Sequence, residues 1–209
     1  VVYRLCWFEA SARLGLYRDG QLIYLGAAEG ALAELLQGEV CRHLAERGRG
    51  GLLFHAACVA DGARAIILPG ESAAGKSTLA AWLTTQGYGY LSDELAFIPQ
   101  GSLEVQPLIR PLSLKQPAQA ALTPYLDWEA LQPRLLPSGG GWLLAPEALG
   151  APVVRPSWAL EIILLPRYQP ESELLWRRLA GGAAAMRLFG SLVNGAQLPE
   201  RGFSELARL

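Results

Sequence analysis

The loop GESAAGKS at residues 70–77 constrains this chain more than any other stretch. It matches the P-loop pattern, in which two glycines separated by four residues precede a lysine and a serine or threonine. The glycines let the backbone curl so that successive N–H groups converge on one phosphate. A helix that begins near Lys76 adds the positive end of its dipole. The loop therefore predicts a phosphate site where Lys76 reaches the terminal phosphates and the Ser77 hydroxyl ligates Mg²⁺.

The residues around the loop supply the context that this motif requires. Residues 65–69, AIILP, form an apolar run typical of a strand covered on both faces. A second core strand is predicted at 52–60, a helix at 76–86, and one or two further strands at 88–99. Strand, loop, helix and strand in this order indicate an α/β fold.

Two acidic residues, Asp93 and Glu94, follow the strand predicted after the P-loop helix. A P-loop enzyme needs a carboxylate in this region, either to hold Mg²⁺ or to activate the attacking group. We therefore predict Asp93 as the group that activates the acceptor, and Glu94 as a metal ligand or a close neighbour of the metal. A solvated turn is the alternative interpretation of the pair.

Three further polar residues are candidates for the same site. His55 lies in the middle of the strand at 52–60, where it is either a core histidine or a partner of the transferring phosphate. Arg110 and Lys115 belong to PLIRPLSLK at 107–115, a segment that its prolines hold extended. Phosphoryl transfer uses extra cations to neutralise developing charge, although both residues also suit an ordinary surface role.

Composition excludes several classes of partner. The formal net charge is −1, which gives no general attraction to nucleic acid or to anionic lipid. No apolar run reaches the roughly 18 residues of a membrane-spanning helix, and the first residues lack the features of a secretion signal.

The three cysteines have no metal-ligand spacing, so we expect reduced, buried thiols in a cytoplasmic protein. A hydrophobic content of 51% and six tryptophans favour a homo-oligomer.

The rest of the chain divides into an appendage and a main domain. Residues 1–50 are predicted as a β-hairpin, with strands at 3–9 and 21–25, followed by a helix at 28–47. Residues 51–209 are predicted as one domain that ends with a strand at 158–166 and a helix at 182–193. An irregular insertion or lid is expected at about 116–157, which holds seven of the 14 prolines and a run of three glycines.

Several of these segments together resemble the catalytic domain of HPr serine kinases, and more closely the shorter HPr-kinase-related proteins. They are LFHAA at 53–57, LPGESAAGKSTL at 68–79, Gly87-Tyr88, LSDE at 91–94 and RPLSLK at 110–115. The likeness is dense over about 52–116 and loose from 153 onward. It implies a phosphoenolpyruvate-carboxykinase-like P-loop kinase fold, with a mixed β-sheet and flanking helices.

The resemblance also implies a chemistry, namely transfer of the γ-phosphoryl group of ATP to a serine hydroxyl with Mg²⁺. It makes Asp93 the base toward the acceptor and places His55 near the phosphates, while Lys76 and Ser77 keep their P-loop roles. With the residues predicted above, the catalytic set is Asp93, His55, Lys76 and Arg110, and the expected metal ligands are Ser77 and Glu94. The residues expected to bind ATP are those of the loop and the first turn of its helix: Gly70, Glu71, Ser72, Ala73, Ala74, Gly75, Lys76, Ser77 and Thr78.

Three departures from the family limit what the resemblance implies. Only about 50 residues precede the core strands, so the larger N-terminal domain of full HPr kinases is not expected here. Glu94 stands where the bifunctional enzymes usually have aspartate. The glycine-containing signature linked with their reverse, phosphate-removing activity has no match, which leaves that activity and HPr itself unsupported.

The acceptor is the open question at this point. Some short relatives phosphorylate a serine of a small ribosomal peptide such as a lasso peptide precursor, so a peptide or small-protein serine is the expected acceptor. Two alternatives stay open. One is a nucleotide-binding regulatory module without transferase activity, and the other is a small-molecule kinase acting on free serine.

Overall fold

The computed structural model of this protein describes residues 1–150 and 155–209. Within these residues the strands are β1 (Tyr3–Phe8), β2 (Arg13–Arg18), β3 (Gln21–Gly26), β4 (Gly51–Asp61), β5 (Arg64–Pro69), β6 (Gly89–Ser92), β7 (Leu95–Pro99), β8 (Glu104–Pro107), β9 (Leu112–Lys115), β10 (Leu135–Ser138), β11 (Gly141–Leu144) and β12 (Trp158–Ile163). The helices are α1 (Glu29–Arg47), α2 (Lys76–Thr85), α3 (Gln116–Leu122), α4 (Trp128–Leu131), α5 (Gly181–Ser191) and α6 (Phe203–Leu206).

The predicted α/β fold is confirmed at the level of a mixed sheet with flanking helices. Six strands form the main sheet in the order β5-β12-β8-β7-β4-β6, and β4 also pairs with β5. β12 runs parallel to β5 and antiparallel to β8. The strand that leads into the P-loop, β5, is therefore held between β4 and β12, as its unbroken apolar sequence requires.

The alternation of β4 places its residues on two different faces of the sheet. Its even-numbered residues from Leu52 to Ala60 pack into the main core together with Trp158, under α5 and α6. Ala57 and Val59, on the other face, pack with Ala80 of α2. His55 shares this second face, so the pleat alone directs it toward the helix that follows the P-loop.

Part of the region predicted as an irregular insertion is regular structure. Residues 116–149 contain α3, α4 and the hairpin β10–β11, whose second strand pairs with β9. Leu112, Leu114 and Leu144 of this sheet are buried in a second core with Ala81 of α2. The segment therefore packs on α2, which lies between the two sheets. The other expected insertion residues include 151–154, which lie outside the described part of the chain.

The N-terminal residues form three antiparallel strands where a two-stranded hairpin was predicted. A turn at residues 19–20 joins β2 to β3, and β1 pairs along the other edge of β2. Helix α1 packs on this sheet and on β10. Its Gly30 lies directly against the carbonyl oxygen of Pro137, an approach that leaves no room for a Cβ atom.

Two further expectations concern membranes and cysteines. Among the described residues, no helix combines the length and apolar character needed to cross a membrane. The cysteines do not all match the expectation of buried thiols: Cys58 is buried, whereas Cys6 and Cys41 are partly exposed. Cys58 points into the main core from β4, whereas Cys6 lies in β1 and Cys41 in α1.

Candidate functional site

The P-loop has the curled backbone that its glycines predict. Ala73 and Gly75 have φ values of 66° and 92°, in the left-handed region that favours glycine. Helix α2 begins at Lys76, immediately after this bend. The first N–H groups of a helix have no partner within it, so those at the start of α2 are free to bind an anion.

Lys76 lies across the loop. Its side chain is buried, and its Nζ donates to the carbonyl oxygens of Gly70 and Glu71, both at 2.8 Å. Burial lowers the pKa of Lys76, and the charges of Glu94 and Asp93 act in the opposite direction. The ammonium group is therefore held at the mouth of the loop by weak neutral acceptors that phosphate oxygens would outcompete.

A sharp corner between β6 and β7 positions the two predicted carboxylates. β6 ends at Ser92, whose hydroxyl accepts hydrogen bonds from the N–H groups of Glu94 and Leu95, both at 3.3 Å. The carbonyl oxygen of Glu94 accepts from the N–H of Ala56, 3.0 Å away. This pairing sets the corner beside the middle of β4, next to His55.

Asp93 is the more deeply buried of the two acids, with 1% of its side chain exposed. One carboxylate oxygen accepts from the Ser113 N–H at 2.8 Å, and the other from the Tyr90 hydroxyl at 3.3 Å. The Nε of Arg110 lies 3.1 Å from that second oxygen, though without hydrogen-bond alignment. Burial raises the pKa of Asp93, while Arg110 and the Ser113 amide oppose this shift.

Glu94 turns the other way and is 31% exposed. One of its oxygens lies 3.2 Å from Nδ1 of His55, and the other 3.9 Å from Nη1 of Arg110. Burial acts to raise the pKa of Glu94, but the hydrogen bond and charge of His55, with Arg110 and Lys76, lower it overall. Glu94 is therefore an ionised carboxylate beside the imidazole of His55 and near two cations, Arg110 and Lys76.

The structure brings the predicted catalytic residues into one cleft of about 2200 Å³. His55, Lys76, Asp93 and Arg110 line it together with Glu94, Lys115 and residues 72–78 of the predicted ATP-binding set. The remaining two members of that set, Gly70 and Glu71, instead provide the carbonyl oxygens that hold Lys76.

Sequence reasoning missed four residues that shape this cleft. Tyr90 and Ser113 hold Asp93, and Cys41 of α1 accepts a weak hydrogen bond from Nη1 of Arg110 at 3.8 Å. The fourth residue is Tyr168, whose N–H donates to the Ala74 carbonyl oxygen at 3.2 Å. The contacts of Ser113, Cys41 and Tyr168 span long stretches of chain, so side-chain spacing carries no signal for them; Tyr90 lies only three residues before Asp93.

The residues at this site fit the way in which proteins bind Mg²⁺. In residues 1–150 and 155–209, no group of three or more His, Cys, Asp or Glu side chains is arranged to hold a metal ion. Mg²⁺ usually takes only one or two protein ligands and completes its shell with phosphates and water. Ser77 and Glu94, which both line the cleft beside Lys76, provide such a donor set.

Comparison with known proteins does not assign this chain to a family. No protein-family model matches the chain, and no curated protein matches it. The assignment of function therefore depends on the chemistry of the cleft.

Proposed function

We propose that this protein is an ATP- and Mg²⁺-dependent kinase that phosphorylates a serine of a peptide or small protein, with a fold related to that of the HPr kinases and phosphoenolpyruvate carboxykinases. One observation carries the proposal. The P-loop lysine shares a cleft with a histidine, two adjacent carboxylates and a mostly buried arginine, which come from four separate segments of the chain. Phosphoryl transfer requires this combination of phosphate cradle, base and cations.

In the proposed reaction, the P-loop N–H groups and Lys76 bind the phosphates of ATP. The acceptor oxygen forms a bond to the γ-phosphorus as the bond to the β,γ-bridging oxygen breaks, and ADP leaves. The hydroxyl proton passes to Asp93, the predicted base. Ser77 and Glu94 would hold Mg²⁺, which would supply positive charge to neutralise the phosphates of ATP. Arg110 and His55 supply further positive or hydrogen-bonding groups beside them.

The size of the cleft favours a peptide acceptor over a metabolite. Its volume of about 2200 Å³ exceeds the roughly 300–1,000 Å³ of typical small-molecule pockets. It continues past the P-loop along Leu174, Leu175 and Trp176, which are 77%, 86% and 69% exposed. An open cleft with apolar walls suits an extended chain, whereas free serine would leave most of it empty.

One observation favours the second candidate, a nucleotide-binding module without transferase activity. Asp93 is almost completely buried and both of its oxygens already accept hydrogen bonds. A base must exchange one of these partners for the acceptor hydroxyl, whereas a purely structural aspartate keeps them. The two candidates therefore differ in what Asp93 does.

Variants at the two acids test this difference. We expect Asp93→Asn to abolish transfer of label from γ-labelled ATP to a serine-peptide library while nucleotide binding persists. Glu94→Gln should instead raise the Mg²⁺ concentration needed for transfer. Asp61→Asn, an exposed aspartate at the end of β4, is the matched control and should behave as wild type.

Three outcomes decide the proposal. Full transfer by Asp93→Asn would remove the base role from Asp93. Loss of transfer only in Glu94→Gln would assign that role to Glu94. Nucleotide binding by the wild-type protein without transfer to peptides or to free serine would establish the regulatory module.

A further inference from the structure

The two sides of the P-loop differ in chemistry. On one side β5 pairs with β4, and this side carries His55 and the corner with Asp93 and Glu94. On the other side β5 pairs with β12 in parallel. The carboxyl ends of parallel strands meet at the same edge of a sheet, where α/β proteins bind their ligands. The chain that follows β12 therefore emerges beside the P-loop, opposite the charged groups.

Backbone contacts hold this following segment against the P-loop. The N–H of Leu164 donates to the Ile67 carbonyl oxygen at 2.9 Å, which extends the β12–β5 pairing. The N–H of Tyr168 donates to the carbonyl oxygen of Ala74 at 3.2 Å. A Cβ atom built on Gly75 would lie 3.4 Å from the Cβ of Tyr168, so the tyrosine starts in contact with the loop.

The side chain of Tyr168 is left uncovered beside the loop. The residue lines the same cleft as Lys76 and is 68% exposed, although its backbone is fixed to the loop. A large aromatic side chain that stays exposed beside a ligand site gains from covering by a flat apolar ligand group. The purine of a nucleotide is such a group.

The direction of a bound triphosphate follows from these two sides. If the γ-phosphoryl group is to reach an acceptor activated by the acids, it must point toward the β4 side of the loop. The phosphates form a linear chain with the nucleoside at the other end. The nucleoside therefore leaves the loop on the β12 side, toward Tyr168.

From this arrangement, the geometry points to Tyr168 as the stacking platform for the nucleotide base. The inference rests on the proposed function, because it takes ATP as the ligand of the P-loop. It goes further by naming the residue that distinguishes a nucleotide from a bare polyphosphate. Since every base offers a flat π face, stacking of this kind should support ATP and GTP to a similar degree.

Two ligands, Mg²⁺·ATP and inorganic tripolyphosphate, separate base recognition from phosphate recognition. By calorimetric titration, Tyr168→Ala should weaken ATP binding roughly 5- to 100-fold, the range found when a stacking aromatic is removed. Tripolyphosphate binding should change by less than about twofold, because the backbone contact to Ala74 does not need the ring. Tyr168→Phe should retain the affinity for ATP, and Tyr17→Ala, in the N-terminal sheet, should bind both ligands as wild type.

Each contrary outcome has its own meaning. Unchanged ATP affinity in Tyr168→Ala would overturn the stacking role, and an equal loss for both ligands would show that Tyr168 acts only by shaping the loop. Either result would leave the proposed kinase function standing. A wild-type protein that binds neither ligand would refute the proposed function, and the inference with it.

Discussion

Asn194 allows a sharp prediction about what holds β4, the strand of His55, in place. Asn194 is fully buried where the chain returns after α5. Its Oδ1 accepts from the Leu53 N–H at 3.0 Å, and its Nδ2 donates to the carbonyl oxygens of Gly48 and Gly51 at 3.1 and 3.0 Å. One side chain thus satisfies three backbone groups at the point where the chain enters β4.

Asn194→Ala removes all three partners at once. A buried donor or acceptor left without a partner costs about 1–3 kcal/mol, with carbonyl oxygens toward the low end. One N–H and two carbonyl groups therefore predict a loss of about 3–5 kcal/mol in the free energy of unfolding. For a chain of this length, such a loss lowers Tm by on the order of 10 °C.

Urea denaturation followed by circular dichroism measures this change directly. Gln86→Ala is the matched control, because that amide is exposed and donates to the neighbouring Thr85 side chain; its effect should stay within about 0.5 kcal/mol. A loss below about 1 kcal/mol in Asn194→Ala would refute the reasoning, since it would mean that the three backbone groups find other partners.

Two further predictions concern close packing and thiol reactivity. Gly30→Ala should lower the free energy of unfolding by more than about 2 kcal/mol in the same assay, because the new methyl group overlaps the Pro137 carbonyl oxygen. Gly38→Ala, in open space on the same helix, should raise it by about 0.5–1 kcal/mol. Equal effects of the two variants would contradict the packing of α1 on β10. Cys58 is buried, which raises the pKa of its thiol, whereas Cys6 and Cys41 are partly exposed. Alkylation mapped by mass spectrometry should therefore label Cys6 and Cys41 in the native protein and Cys58 only after unfolding. Rapid labelling of Cys58 in the native protein would contradict its burial.

The parts of the fold that were predicted well have local signals. The apolar run of β5, the glycines of the loop and the spacing in α2 are all readable within 21 consecutive residues, 65–85, and the structure has each element within about one residue of its predicted bounds. The alternation of β4 likewise sets the face of the sheet on which His55 lies, because the strand's period of two fixes its faces.

The elements that were missed depend on distant partners. β10 and β11 have four residues each, and Pro137 interrupts the strand pattern of the first. They are strands because β11 pairs with β9, about 30 residues earlier in the chain. β2 contains Gly15, which weakens its strand signal, and in the structure this glycine makes room for the ring of Phe8.

The candidate site was predicted as a set of residues but not as an arrangement. The sequence singles out Asp93 and Glu94 without distinguishing their environments. Only the fold shows that Asp93 is buried against Ser113 and Tyr90 while Glu94 faces His55. The environment of Asp93 depends on β9, whose Ser113 N–H donates to its carboxylate, and no short-range pattern in the sequence predicts this contact.

Transfer of the γ-phosphoryl group is the most direct test of the central claim. The measurement uses γ-labelled ATP and Mg²⁺ with a library of serine peptides and with free serine, comparing wild type with Lys76→Ala. We expect labelled phosphoserine in a peptide with the wild-type protein and none with the variant. Label in free serine alone would contradict the peptide acceptor, and no label in either, with ATP bound, would contradict the kinase itself.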